Sequence, residues 1–164
     1  MTSIPWFSTS SDTGDVSPID GVVGHTTDEA TDAALAEHDG REAEAAREQY
    51  RTTGLPHISP DDAVAAHLSP GEGVVAVRAL VSVDRDGAGD VTGAISGPLY
   101  LTTHRLMLLG GSPVTVDLSV IDELALVGER LLVSLRDGTG LDLQVAGPRL
   151  LRVQIAAALM GARG

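Results

Sequence analysis

The sequence predicts a mainly β domain over residues 69–164 that ends in a helix and is preceded by an acidic N-terminal arm. Three observations support this fold class. Between Val74 and Val145, apolar residues alternate with polar ones in several segments, which is the period of a half-buried strand. Short turns that contain glycine separate these segments. After Gly147-Pro148 the apolar period changes to that of a helix.

The alternating region divides into seven strand candidates. Alternation is clear at Leu131, Val133 and Leu135, so we expect this strand to bury one face and expose the other. Asp86-Gly87 and Asp137-Gly138 are residue pairs that accept the positive φ angles of tight turns. The candidates are Val74–Val83, Ile95–Thr103, Arg105–Leu109, Val114–Leu118, Ile121–Val127, Leu131–Leu135 and Leu141–Val145.

The last segment predicts an amphipathic helix that begins at Gly147-Pro148 and ends at Gly161. Leu151, Ile155 and Leu159 recur every four residues and form one apolar stripe. We expect this stripe to cover the open end of a strongly bent sheet that does not close on itself.

The arm divides into a disordered acidic tail, residues 1–26, and a helical arm or linker, residues 27–68. The tail is rich in Ser, Thr, Asp, Gly and Pro and has no apolar period. A helix is predicted from its cap Thr27 to about Tyr50, interrupted by Gly40. Its apolar residues are nearly all alanine, so we expect it to be exposed and marginal, or stabilised by a partner.

A second, short helix is predicted to extend to about Leu68. Ser59 is its expected N-cap, and Pro60 occupies the first turn, where the missing N–H costs nothing. The segment Ser69-Pro70-Gly71-Glu72 then turns the chain into the first strand.

The net charge of −12 is unevenly distributed. Residues 1–70 contain 13 acidic residues and three arginines, whereas residues 71–164 contain 10 acidic residues and eight arginines. Nucleic acids and anionic membranes bind proteins mainly through cationic side chains, so the charge disfavours both as partners. A basic protein partner would suit the acidic half of the chain.

Composition excludes several kinds of chemistry. The chain has no cysteine, which excludes disulfides, thiolate catalysis and cysteine-ligated metal sites. All eleven cationic residues are arginine, which together with the high Ala, Gly, Asp and Val content indicates a GC-rich bacterial coding background. No signal peptide or long apolar segment is evident, so we expect a cytoplasmic protein.

Residues 71–160 resemble the bacterial pleckstrin-homology-like (PH-like) and GRAM domains. The resemblance rests on Pro70-Gly71-Glu72, on the hairpin Gly97-Pro-Leu-Tyr-Leu-Thr-Thr-His-Arg-Leu-Met-Leu-Leu-Gly110, on the hairpin after Val114, and on the terminal helix. It implies a seven-stranded β-sandwich or partly open barrel, made of two roughly orthogonal sheets and capped by the C-terminal α-helix.

Phosphoinositide recognition in the wider PH group uses clustered cations at the loop after the first strand. The equivalent segment here, residues 83–90, has one arginine and three acidic residues, so inositide binding is not expected. Asp84, Asp86 and Asp90 are oxygen ligands at short spacing, but they lack the order of an EF-hand and its bidentate glutamate. Neither a metal nor a cofactor is therefore expected.

Six residues are candidates for partner binding. Trp6 and Phe7 either form a short linear anchor or are an accidental aromatic pair. Arg105 is expected to reach carbonyls or a carboxylate in the next strand, and Tyr100 to pack partly buried. The candidates are Trp6, Phe7, Arg78, Arg85, Tyr100 and Arg105.

No enzyme motif is present: the five histidines are scattered, and there is no G-x-S-x-G, Walker or G-x-G-x-x-G segment. We therefore predict a non-enzymatic protein-interaction module, either a PH-like adaptor or a subunit of a bacterial assembly. The alternative is a peripheral membrane or lipid-binding GRAM-like module, and the remote alternative is an enzyme without a recognisable motif. Oligomerisation is left open.

Overall fold

A computed structural model describes residues 23–86 and 94–163 of the chain, with side chains from residue 28 to 85 and from 94 to 163. Within these residues the protein is mainly β and ends in a helix, which confirms the predicted fold class. The elements are α1 Val23–Thr53, α2 Asp62–Ala65, β1 Val74–Asp86, β2 Ile95–Thr102, β3 Arg105–Leu108, β4 Val114–Asp117, a 3₁₀ turn Leu118–Val120, β5 Ile121–Val127, β6 Arg130–Leu135, β7 Gly140–Gln144 and α3 Pro148–Ala162.

The seven strands form one antiparallel sheet in the order β4-β3-β2-β1-β7-β6-β5. The sheet is open, because β4 and β5 are its two edge strands although only the 3₁₀ turn separates them in sequence. The long strand β1 is the central strand of the sheet. It pairs with β2 from Val74 to Val83 and with β7 from Ser82 to Asp86. A register shift between Arg78 and Val81 adds one residue to β1, and such bulges bend a strand.

Aliphatic side chains form the core inside the bent sheet. The alternation predicted for β6 is confirmed, since Leu131, Val133 and Leu135 are all buried. Leu151 and Ile155 of α3 are buried in the same cluster, so the apolar stripe of the terminal helix covers the sheet as expected. This main cluster contains no aromatic side chain, and Tyr100 is buried in a smaller cluster with Val64, Val74 and Met107.

Helix α1 differs from its prediction. It begins at Val23, four residues before Thr27, and it continues through Gly40. Its alanine face is not exposed along its whole length, because Ala43 and Ala46 are buried against Val153 of α3. The stabilising partner that the alanine-rich sequence requires is thus a helix of the same chain.

A carboxylate from α1 caps the N-terminus of α3. The cap position of α3 is Gly147, which has a φ of 69° and no side chain to offer. Asp39 replaces it: its Oδ2 accepts a hydrogen bond from the Arg149 backbone N–H at 2.8 Å, and its Oδ1 accepts one from Leu150 at 2.9 Å. Because the first N–H groups of a helix have no internal partner and carry partial positive charge, this contact fixes α1 on α3.

Helix α2 is shorter than predicted and has a different cap. It begins at Asp62 and ends at Ala65, and Asp61, not Ser59, is the N-cap. The Oδ1 of Asp61 accepts a hydrogen bond from the Val64 backbone N–H at 3.0 Å. The same carboxylate accepts a hydrogen bond from the Tyr100 hydroxyl at 2.7 Å, so a contact with the sheet determines where the helix begins.

We expect Asp39→Ala to lower the free energy of unfolding by about 1–2 kcal/mol, because two backbone N–H groups of α3 lose their acceptor. Urea denaturation of the full-length chain measures this change. Glu37→Ala is the matched control, since it removes an exposed carboxylate from the same helix. Equal stability of the two variants would contradict the proposed role of Asp39.

Candidate functional site

The four sequence-predicted binding residues that the structure describes do not form one site. Trp6 and Phe7 lie outside the described residues. Arg85 is exposed near the end of β1, whereas Tyr100 is buried and its hydroxyl is bound to Asp61. That hydrogen bond is the main reason why the pKa of Tyr100 is raised above its usual value. Tyr100 therefore packs and bonds internally, as its structural interpretation predicts.

Arg105 also forms internal contacts. Its Nε donates to Glu72 Oε1 and its Nη2 to Glu72 Oε2, both at 2.9 Å, and Nη2 also donates to the backbone carbonyl of His67 at 2.6 Å. The guanidinium thus binds a carbonyl and a carboxylate as predicted. Both lie in the segment before β1, however, and not in the next strand. The segment 67–72 folds back over the β2–β3 hairpin, so the partner precedes Arg105 in sequence.

Glu72 is a buried carboxylate whose hydrogen bonds are all made within the domain. Besides Arg105, it accepts hydrogen bonds from the Thr102 hydroxyl at 2.6 Å and from the Ser69 backbone N–H at 2.9 Å. Burial alone would raise the pKa of Glu72, but the hydrogen bonds from Arg105, Ser69 and Thr102 outweigh it and lower the pKa to about 2. This charged network joins the start of β1 to the β2–β3 hairpin.

Of the four candidates within the described residues, Arg78 is the one that lines the first of two grooves described below. It projects from β1 towards α1, and its Nη2 donates to Gln154 Oε1 at 2.9 Å. Burial lowers the pKa of this guanidinium, and the negative charges of Asp39 and Glu42 act in the opposite direction. Arg78 therefore lies between the two helices and the sheet, where it helps to hold their spacing.

The acid-rimmed groove lies on one side of the α1–α3 contact and has a volume of about 450 Å³. Leu35 of α1 lines this groove and is exposed over 62% of its surface. The apolar lining consists of Leu35, Val145, Pro148 and Leu150. A groove of this size and lining can hold one large apolar side chain of a partner.

Carboxylates surround this lining. Asp32 and Glu42 come from α1, and Glu129 comes from the turn between β5 and β6. Asp39 also lines the groove, but its oxygens are bound to the α3 backbone. The rim therefore offers negative charge from two separate elements, while Arg78 also lines the groove and Arg149 Nη1 lies 3.3 Å from Glu129 Oε1.

The arginine-rimmed groove lies further along the same pair of helices and has a volume of about 500 Å³. Its cations are Arg47 and Arg51 of α1 and Arg152 of α3, and no carboxylate lines it. Its apolar lining consists of Tyr50, Leu55, Val153, Ala156, Ala157 and Met160. The small alanines leave room for a large side chain, and Met160 is exposed over 71% of its surface.

Sequence reasoning missed most of these groove residues. Leu35 is noticeable only as a large residue among alanines, and Asp39 only as an acidic residue beside Gly40 in a helix. Arg152 has no ion-pair partner among the described side chains, a property that spacing does not reveal.

Neither a metal-ligand cluster nor a membrane-spanning helix is present among the described residues. Among the side chains described, those of residues 28–85 and 94–163, no group of three His, Asp or Glu is placed to hold a metal ion. The side chains of Asp86 and Asp90, two of the three aspartates in the acidic loop, lie outside these ranges. No described helix combines the length and the hydropathy that crossing a bilayer requires.

We expect the stability of the domain to fall as the pH is lowered through the normal carboxylate range. The pKa of Glu72 is about 2 in the folded chain against an ordinary 4.5, so the stabilisation is present above about pH 4.5 and is lost towards pH 2. At 1.36 kcal/mol per pKa unit, protonation of Glu72 costs roughly 3 kcal/mol. Denaturant unfolding at several pH values measures this slope.

Glu72→Gln tests the origin of that slope. It should lower the free energy of unfolding by about 3 kcal/mol at neutral pH, because Arg105 loses its buried partner. Only the pH dependence from the other carboxylates should remain. Glu44→Gln is the control, since Glu44 forms an exposed ion pair with Arg47, worth about 0.5 kcal/mol. An unchanged acid slope in Glu72→Gln would rule out Glu72 as its source.

No protein-family model and no curated protein matches the chain. Among solved structures it is similar to the C-terminal domain of an unknown protein from Leishmania infantum, with 16% identity and a TM-score of 0.42. The similarity covers 61% of this chain and 90% of that domain. The grooves are therefore the basis for assigning a function.

Proposed function

We propose that this protein is a non-enzymatic, cytoplasmic protein-interaction module whose acid-rimmed groove binds a basic segment of a partner protein. The observation that carries the proposal is Leu35, a largely exposed leucine beside an apolar surface that carboxylates surround. Exposed apolar surface with a charged rim is typical of protein-binding sites. One bulky apolar side chain of the partner packs against Leu35.

Charge determines the class of segment that this groove accepts. Lysine or arginine side chains flanking the apolar anchor pair with Asp32, Glu42 and Glu129 around the rim. The net charge of −12 attracts a basic partner over a longer range and raises its association rate. An anionic membrane or a nucleic acid is repelled by the same field.

The groove is pre-organised by the internal hydrogen bonds of two of its lining residues, Asp39 and Arg78. Asp39 bonds to the α3 backbone and Arg78 bonds to Gln154, which sets the distance between α1, α3 and β1. A groove that is formed before binding loses little conformational entropy when the partner docks. Asp32, Glu42 and Glu129 remain exposed, and the surface pair of Glu129 with Arg149 is weak enough for a partner to replace it.

We also propose that residues 71–160 are a PH-like or GRAM-like domain. An open seven-stranded antiparallel sheet with a C-terminal helix supports this assignment. So does the contact of Glu72, from the Pro-Gly-Glu segment, with Thr102 and Arg105 of the hairpin, because it gives these motif residues one shared physical role. In this proposal the β domain is the scaffold and α1 adds the binding groove.

The test uses peptides selected from a random display library against the full-length chain. We expect the selected peptides to combine lysine or arginine with one large apolar residue. Leu35→Arg should weaken their binding by about tenfold or more, because it removes apolar burial and adds a like charge. Calorimetric titration of the selected peptides measures the dissociation constants.

Val120→Arg is the control variant. Val120 is 40% exposed, lies on the 3₁₀ turn, and lines neither groove. It should bind the peptides as the wild-type chain does. Selection of acidic peptides, or equal binding by both arginine variants, would contradict the proposed site.

A further inference from the structure

We propose that the arginine-rimmed groove is the docking site for the N-terminal segment of the same chain, with Trp6 and Phe7 as its apolar anchors. The groove has a volume of about 500 Å³ and an apolar lining. Three guanidinium groups lie on its rim, and no carboxylate lines it. An occupant that fits must therefore bring large apolar side chains together with negative charge.

Residues 1–22 have this chemistry. They contain the only tryptophan and the only phenylalanine of the protein, adjacent to each other at Trp6 and Phe7. They also contain three aspartates, Asp12, Asp15 and Asp20, and no arginine, lysine or histidine. Aromatic side chains bury large apolar areas, and an indole ring also attracts a guanidinium placed over its face.

Charge separates this groove from the acid-rimmed one. Asp32, Glu42 and Glu129 would repel the three aspartates of the segment, whereas Arg51 and Arg152 attract them. The α1 arginines have only exposed ion pairs on their own helix, Arg51 with Glu48 at 3.4 Å for example, and such pairs are weak. Arg152 has no ion-pair partner among the described residues and is exposed. The guanidinium groups are therefore available to a second acidic partner.

The connection is long enough. Val23 and Arg51 are separated by the length of α1, which at a rise of ~1.5 Å per residue is roughly 42 Å. The residues between Trp6 and Val23 span up to about 56 Å when extended, at ~3.3 Å each. The segment can therefore follow α1 back to the groove of its own chain without a second copy.

The single tryptophan gives a direct measurement. In the full-length chain at low ionic strength, we expect Trp6 emission at shorter wavelength than in the urea-unfolded chain. Quenching of Trp6 by acrylamide should be roughly twofold weaker, since a docked indole is partly buried. Added salt should move both signals towards the unfolded values, because exposed charge pairs are screened. Neither signal should depend on protein concentration.

Charge reversal identifies the groove. Arg51→Glu/Arg152→Glu should lower the ratio of docked to undocked chain by about tenfold, because two exposed attractions become repulsions. Arg85→Glu/Arg136→Glu is the matched control, since both arginines are exposed and line neither groove. It should leave the emission unchanged. Asp12→Asn/Asp15→Asn/Asp20→Asn should reproduce the loss without changing any residue of the groove.

Three results would overturn the proposal. Trp6 emission in the wild-type chain that equals that of the unfolded chain would show that the segment does not dock. Loss of the shifted emission in Leu35→Glu, but not in the arginine double variant, would place the segment in the other groove. Emission that shifts with protein concentration would identify a second copy as the occupant. The urea midpoint of each variant establishes whether it is folded. If the arginine double variant is unfolded, the emission of the aspartate triple variant decides whether the segment docks through these charges.

Discussion

The contact between Asp39 and the first turn of α3 is the interaction on which both grooves depend. It satisfies two N–H groups of a helix whose own cap residue is a glycine, and it does so from a helix 110 residues earlier. A Cβ at Gly147 would approach Asp39 Oδ1 to 3.2 Å, so the glycine provides both the positive φ and the space. With α1 held there, its alanine face packs on α3 and leaves one groove on each side of the contact.

A second charged network gives the sheet its fixed form. Glu72, Thr102 and Arg105 bond to one another where the chain enters β1, and Thr102 also accepts hydrogen bonds from the backbone N–H groups of His104 and Arg105. A buried ion pair contributes little net stability, but breaking it leaves an uncompensated charge. The network therefore favours one position of the β2–β3 hairpin relative to β1. This hairpin pairs with the edge of β1 opposite to the one that pairs with β7.

Local patterns predicted the elements whose stability is local in origin. Alternation at Leu131, Val133 and Leu135 identified β6, and the stripe of Leu151 and Ile155 identified α3, because burial of one face leaves a period in the sequence. The predicted start of α1 and its predicted interruption at Gly40 were wrong, because contacts with a distant part of the chain stabilise this helix. Gly40 weakens an isolated helix and a face of alanines buries little apolar surface, yet tertiary packing on α3 outweighs both effects. Neither groove has a sequence pattern, because α1 and α3 meet only in the folded chain.

The two grooves differ in the affinity that an occupant needs in order to bind. A tethered segment has an effective concentration in the millimolar range, so a weak contact suffices to fill the arginine-rimmed groove. A separate partner has no such advantage, and it must gain its affinity from burial of an apolar anchor at Leu35 and from rim carboxylates, of which Glu129 is held only in an exposed, weak pair with Arg149. The tail carries the same charge sign as that rim and cannot compete for it. Opposite charge on the two grooves thus leaves the acid-rimmed groove open to a basic partner while the tail occupies the other.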